Sequence, residues 1–487
     1  MILSSEDVRP RPRFRIERAL VGLGGALYLC VAFMAIVHSE NGGEPNYILP
    51  TIVAALPFCT FLAFRYPMIF PFGLYVALVP FDSLLQVSGG GATLGRFVAI
   101  ATAGTMIIHA LLLRRAFVPH RAWFFWAATV IYMAVSLLWT TDSANGVLVT
   151  LTVVQLFCFM TILAMYPATK TEFMVGLALV IGCGLLAAAY GIQQYLAGNV
   201  SGEQGSRLSL TAGGYEMDFN YFAASFILPM AVATCFTFYA KHTIAKIASG
   251  LATLVMMAGL LVTGSRGAFI AAVAIFLYFG FRSRFKLQVA GFLAVVGSVT
   301  LLFPSVYYRF ANDPSGQQGS ASGRTFIWQT GLYSLRDHIL FGTGVGSYAD
   351  TYDRNFLHVY QASFQGWSRP SHSILVGGLT ELGVVGLLLV LASWYVSFRQ
   401  LKIIPKTSEW FGLRLAFESA IVALFAMSLS IDPTYIKYVW LAHSMALMLL
   451  NQAVPRAMRL ERSPLRGLAP LIPRRPSVER GVSARVR

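Results

Sequence analysis

The sequence predicts an all-α integral membrane protein with about fourteen transmembrane helices. Three observations carry that expectation. Apolar residues make up 56% of the 487 residues and charged residues only 12%, about half the charge of a soluble domain, and mean hydropathy is +0.64. Too few charges remain to coat a water-soluble fold, so the bilayer must act as solvent for most of the chain. Apolar runs of spanning length recur along the sequence, and basic residues fall in alternate loops between them.

A spanning helix needs about 20 mostly apolar residues. Such runs lie near 19–38, 47–64, 67–86, 97–113, 122–139, 147–167, 173–196, 221–240, 247–264, 267–281, 287–304, 373–398, 415–431 and 435–454. The segment 1–18 is polar and Arg-rich, and the run after it is long enough to span and stay, which reads as a retained helix rather than a cleaved leader. Counting from the inside, one set of loops carries Arg9, Arg11, Arg13, Arg15 and Arg18, then Arg65, then Arg114, Arg115 and Arg121. It continues through Lys170, Lys241, Lys246, Arg282, Arg284, Lys286, Arg399, Lys402 and Lys406 to nine arginines between Arg456 and Arg487. The alternate loops, SENGGEPN, TTDSANG and IDPTY, are acidic or neutral. The bias never reverses, which places both termini in the cytoplasm.

This pattern divides the chain into a basic tail 1–18, N-terminal helices 19–184, a core 185–454 and a basic tail 455–487. The last tail is rich in Pro, Ser and Arg; it reads as disordered and drawn to anionic membrane lipid. Within the core, the outer segments 197–220 and 305–371 are too long for simple turns. Phe326, Ile327, Tyr333 and Leu335 sit at helix-like spacing in the second, which predicts short helices there. No internal repeat is evident.

Composition also excludes function classes. A net charge of +16 would suggest nucleic acid on a soluble protein. Here the basic residues gather at helix ends and tails, and no nucleic-acid reader motif accompanies them. Cys30, Cys59, Cys158, Cys183 and Cys235 all fall within apolar runs, with neither metal-site nor disulfide spacing. They read as small apolar fillers. No Walker motif, HExxH or GxSxG is present.

Arginine on the outer side is the main anomaly. Arg266 lies in TGSRGA between two apolar runs with almost no loop, and Arg207 and Arg324 flank it in the long outer segments. A guanidinium offers a planar fork of donors that fits phosphate oxygens, which an ammonium does not. Converging arginines at a membrane surface suggest a diphosphate head group. The bland alternative is snorkelling, or pairing with Glu216, Asp218, Asp350 or Asp353, and it suits Arg309, Arg336 and Arg354 better. A charge tucked between two spans, as at Arg266, is costly and calls for a function.

His372 stands where the long outer loop enters a helix, in SRPSHSILVGGLTELGVVG. A neutral imidazole there could take a proton from a sugar hydroxyl, although a lone histidine at a helix start is more often a cap. Glu381 lies nine residues further. On a continuous helix that is roughly 13 Å deeper, near the bilayer centre and on the opposite face, which points to a structural tie. Gly342, Gly344 and Gly346 in FGTGVGSY look like a nucleotide fingerprint only superficially; no strand precedes them, and a tight turn is the better reading. Asp350 and Asp353 alone are a weak metal signal.

Taken in order, GIQQYLAG, DFNYFAAS, TGSRGAFIAA, SGRTFIWQTGLYSLRDHILFGTGVGSY and the His372-Ser373 pair followed by Gly383-Val384-Val385-Gly386 span about 185–395. This stretch resembles the O-antigen ligase and polysaccharide polymerase family of bacterial inner membranes. The resemblance implies a GT-C-like bundle that moves an undecaprenyl-diphosphate-linked glycan to an acceptor sugar or lipid A–core on the periplasmic face. It implies inversion at the transferred sugar, no cofactor and no metal. In that family the Arg of the SRG motif and the Arg of the loop helix are proposed to bind the diphosphate, and the His of the HS motif to activate the acceptor. Those positions are Arg266, Arg324 and His372 here. Arg207 joins the diphosphate set, and Asn220 and Glu381 are supporting candidates. Partners in polysaccharide export or chain-length control would follow. A polymerase is favoured over a ligase because ligases of the family more often have about twelve helices. The rival reading is a lipid-linked oligosaccharide flippase. That class should place charged or broken-helix sites at the midplane and show repeated halves, whereas here the arginines sit at the outer rim.

Overall fold

Backbone in hydrocarbon must satisfy its own N–H and C=O groups, so apolar runs of this length become helices. The computed structural model describes residues 48–86, 93–113, 119–201, 207–212, 215–301, 324–359, 367–434 and 436–454. The tails 1–18 and 455–487, the run 19–38, residues 305–323 and Arg309 lie outside the described residues. Each apolar run from 47 onward contains helix. In chain order these are α1 (Ile48–Arg65), α2 (Phe72–Leu78), α3 (Leu94–Leu112), α4 (Arg121–Ser136), α5 (Ser143–Met165) and α6 (Lys170–Leu196). There follow α7 (Phe219–Ser225), α8 (Ile227–Tyr239), α9 (Thr243–Val262), α10 (Arg266–Arg282) and α11 (Lys286–Leu301). The long outer segment holds α12 (Arg324–Tyr333), α13 (Leu335–His338) and α14 (Tyr348–Val359), and the chain then returns through α15 (Ile374–Leu401), α16 (Phe411–Ser428) and α17 (Lys437–Ala453).

Among the described residues seven helices are long and apolar enough to cross a membrane: α3, α5, α6, the nearly continuous α7–α8, α9, α15 and α16. The run 67–86 departs from expectation. It forms the seven-residue α2 and a 3-10 turn, Val79–Leu84, instead of one spanning helix. Pro67, Pro71 and Pro80 bring no N–H to an i→i−4 ladder, so the run cannot remain a single helix. The segment 197–220 also departs from a purely helical reading. It folds into two antiparallel hairpins, β1 (Val200–Ser201) with β2 (Arg207–Leu208), and β3 (Thr211–Ala212) with β4 (Tyr215–Glu216).

The core of the bundle is α8 and α16, most of whose side chains are buried. Helix α10 runs along α16, and α9 packs against both α6 and α8. Small residues permit the close approaches, as association in lipid requires; a Cβ at Gly259 would come 2.7 Å from that of Ala188. Helix α15 is joined to α4 by a ladder of polar contacts. Gln400 accepts the Ala122 N–H at 2.9 Å, Trp126 donates to Ser397 at 3.1 Å, and Thr129 and Ser393 hydroxyls meet at 2.9 Å. At the far end of α16, buried Arg414 pairs with Glu418 at 2.9 Å, and Tyr278 of α10 donates to the same carboxylate at 2.9 Å. A buried ion pair survives only with such extra hydrogen bonds. These contacts fix α10, which begins at Arg266, and α15, which His372 and Ser373 lead into.

Candidate functional site

The TGSRGA turn is built by its own side chains. Gly264 adopts φ 63°, a left-handed conformation open to glycine, and ends α9. The Thr263 hydroxyl accepts the Ser265 N–H at 3.2 Å, and Ser265 caps α10 by accepting from Ala268 at 3.4 Å. Arg266 is therefore the first residue of α10. Gly267 matters for a different reason: a Cβ there would lie 2.1 Å from the Ser430 hydroxyl, so glycine lets the 430–432 loop close on this turn.

A second helix start adjoins the first. Asp218 caps α7, its Oδ1 accepting from the N–H groups of Asn220 at 2.7 Å and Tyr221 at 3.2 Å. The Ser265 hydroxyl donates to Asn220 Oδ1 at 2.8 Å, which ties the two helix starts together. Arg207, from β2, donates to the Gly264 carbonyl at 3.3 Å and stacks over Phe219 with its guanidinium carbon 3.9 Å from the ring centroid. Its place is thus behind the turn that presents Arg266.

The third start is α12, whose first residue is Arg324. Arg324 lies within electrostatic range of Arg266, Asp218 and Tyr221; burial and Arg266 both lower its pKa, while Asp218 opposes them. One helical turn on, the Trp328 indole N–H donates to the Ser371 carbonyl at 2.8 Å. That bond places His372 beside Arg324. Burial and the Arg324 charge push the imidazole pKa below its ordinary value, Asp218 pulls it up, and Arg369 lowers it again. His372 adopts φ 49°, an unusual backbone conformation for a side chain of this size. Ser373 next to it caps α15 by accepting from Val376 at 3.5 Å. Arg207, Arg266, Arg324, Asp218, Asn220 and His372 are all half-buried, between core and solvent.

Helix N-termini favour anions because their first N–H groups are unpaired and the helix dipole is positive there. The starts of α10 and α12 open on the Arg266 and Arg324 guanidinium groups, while the Asp218 carboxylate already fills the start of α7. The arrangement can hold a polyanion next to a neutral imidazole. Among the described residues no group of three or more His, Cys, Asp or Glu side chains could hold a metal ion.

Other outer residues have local roles. Arg354 pairs with Asp350 at 2.9 Å, Arg336 lies over the Tyr333 ring at 4.3 Å, and His358 stacks with the same Tyr333 ring at 6.1 Å between centroids. Asp353 accepts from the Ser368 N–H at 2.7 Å.

Glu381 stands just before a break in α15, not in an uninterrupted helix. Gly383 takes φ 66° and breaks α15. The freed Thr380 and Glu381 carbonyls accept from Thr343 N at 2.9 Å and Gly344 N at 2.8 Å, and the Val384 N–H donates to Ile339 O at 2.9 Å. The FGTGVGSY stretch is thus a buried wedge, with Gly342, Gly344 and Gly346 at φ 69°, 95° and 74°. It also receives Thr141 N at 3.1 Å from the α4–α5 loop, so Glu381 lies level with the helix ends. Its carboxylate accepts from Gly346 N at 3.0 Å and Tyr348 N at 3.1 Å.

Sequence reasoning passed over Asp432. It stands in the IDPTY loop, which was legible only as an orientation marker. Its carboxylate accepts from the Thr434 N–H at 3.0 Å and hydroxyl at 2.7 Å, and a Cβ at Gly377 would lie 3.2 Å from it. Burial raises its pKa and the Thr434 bonds oppose that. The available signal was the Asp-Pro-Thr triplet, whose carboxylate can bond its own turn.

Fold and site together define a multi-pass, mainly helical membrane protein with a cluster of arginines beside a histidine. Residues 251–391 match the family described as O-antigen ligase, so the chain carries a domain of that O-antigen ligase and polymerase type. The matched stretch runs from α9 into α15 and includes Arg266, Arg324, His372 and Glu381; Arg207 and Asn220 precede it. No curated protein matches the chain. That domain points to a glycosyltransferase-type membrane enzyme, of a class whose substrates in general are a lipid-linked glycan and an acceptor.

Proposed function

We propose that the protein transfers a glycan from an undecaprenyl-diphosphate carrier to an acceptor sugar hydroxyl at the periplasmic face of the bacterial inner membrane. The observation that carries this reading is the grouping of Arg324 and Asp218 around His372, with Arg266 next to Arg324. Arg266 and Arg324 would grip the diphosphate. Arg207 steadies the turn behind Arg266, and Asn220 links that turn to α7.

In the reaction, His372 takes the proton of the acceptor hydroxyl. The oxygen attacks the anomeric carbon from the face opposite the diphosphate, which inverts that carbon. The carbon–oxygen bond to phosphate breaks, and the electron pair leaves on the lipid diphosphate. Charge grows on that leaving group as the bond breaks, so preorganised guanidinium groups act more strongly on the transition state than on the ground state. Cleavage of the activated linkage supplies the driving force, so the step calls for neither nucleotide nor metal. Alternating loop charge supports the further reading that the shorter apolar helices also cross, giving about fourteen spans with both termini inside.

We favour a polymerase of lipid-linked repeat units over a ligase to lipid A–core. Purified protein given a defined lipid-linked repeat should lengthen it without added nucleotide and in the presence of EDTA. Loss of activity in EDTA would overturn the metal-free step. In a deletion strain, shortened glycan chains would identify a polymerase, whereas loss of attachment alone would identify a ligase.

The pH profile gives an independent check. His372 works as a base only when neutral. Its folded pKa lies below the ordinary value of about 6.5, so kcat/KM should be flat above that value and fall as pH drops through the lowered pKa. Arg369 disfavours the imidazolium. Arg369→Gln should therefore raise that pKa and move the acid limb to higher pH. An acid limb that stays in place would remove His372 from the role of base.

A further inference from the structure

We propose that Glu381 is a positioning residue for the transfer reaction, holding the helix that bears Arg324 against the segment that bears His372. The inference rests on the glycosyl-transfer reading for its catalytic part. Glu381 belongs to the first segment of α15, before the break at Gly383. Its two carboxylate oxygens receive the N–H groups of Gly346 and Tyr348, at 3.0 and 3.1 Å. Tyr348 opens α14, so a carboxylate sits at that helix start, where charge and hydrogen bonding reinforce each other.

The contacts continue from there in a closed circuit. The Tyr348 hydroxyl donates to the Ile327 carbonyl of α12 at 2.8 Å. Gly331 makes room for that ring: a Cβ there would come 2.5 Å from the hydroxyl. Trp328 of α12 donates to Ser371 O at 2.8 Å. Ser371 precedes His372, and the chain then enters α15 and returns to Glu381. Arg324 and His372 thus lie on two arms of one circuit that Glu381 closes. Neither the glutamate nor the tryptophan needs to touch substrate to matter. A shift of about 1 Å in reacting groups costs roughly 10²-fold in rate.

Hydrogen exchange and kinetics on the purified full chain test this together. Glu381→Gln keeps the size of the side chain but offers one acceptor oxygen and an amide that opposes the other N–H. Amides of 324–333 and 346–352 should exchange faster, those of α16 should be unchanged, and kcat should fall by about 10²-fold with little change in donor KM. Unchanged exchange in 324–352 would overturn the circuit, whether or not the chain proves to be a glycosyltransferase. Faster exchange with full kcat would overturn the positioning role while leaving the functional reading intact. If Glu381→Gln loosens α16 as well, Trp328→Phe carries the test. It removes one N–H and leaves an aromatic ring in the slot, and the same pair of readouts applies.

Discussion

Arg266→Ala is expected to abolish measurable transfer, a loss of about 10²–10³-fold or more, as for removal of a donor that stabilises developing charge. Helical content and membrane insertion should be unchanged. Arg266 is the first residue of α10, where alanine is acceptable, and the turn before it is held by Thr263, Ser265, Asn220 and Arg207. The effect should therefore be chemical. Arg266 disfavours the charge on Arg324, a repulsion that a bound diphosphate would relieve. Arg266→Lys separates charge from geometry. It keeps the cation but loses the planar fork, so it should recover only a small part of the lost rate. Turnover of a lipid-linked repeat and donor affinity, measured on the same preparations, decide the matter. An Arg266→Ala enzyme with full activity would rule out the diphosphate clamp.

The helices were legible from the sequence because hydrocarbon leaves the backbone so few choices. The TGSRGA turn was legible for a related reason: two apolar runs with no loop between them leave Arg266 nowhere but the rim. Other features depend on single residues that periodicity does not register. Gly383 looks like one more small residue in an apolar run, yet its left-handed φ ends one helix and starts another. That break brings Glu381 level with the glycine-rich wedge. The prolines of 67–86 were visible, but the hydropathy of the run outweighed them, and the result is a short helix with a 3-10 turn. At Arg207 the residue type suggested a phosphate ligand, while its bond to Gly264 depends on a hairpin that no local pattern announces. The partners of His372 were similarly hidden. Trp328 and Ser371 are 43 positions apart, and only the packing of α12 on α15 brings them together.

Replacing His372 should stop turnover while sparing the donor site, with a loss of about 10²–10⁴-fold, the usual range for a positioned general base. His372→Ala alone leaves an ambiguity, because residue 372 sits at φ 49°. Alanine tolerates that conformation less well than histidine or asparagine, so part of its effect could come from a shifted segment. His372→Asn avoids this. Asparagine visits the left-handed region readily, keeps a polar side chain and has no group that accepts a proton at neutral pH. If the imidazole is the base, the two variants should lose comparable turnover and bind donor as the parent does. If the segment is what matters, His372→Asn should retain most of the activity and His372→Ala should lose it. The cation beside the histidine sharpens the expectation. Arg324 lowers the imidazole pKa, so in the parent enzyme the neutral form is present at pH 7. A clamp for the leaving group thus also keeps its neighbour ready to take the acceptor's proton, and the two roles fail separately only when the side chains are removed one at a time.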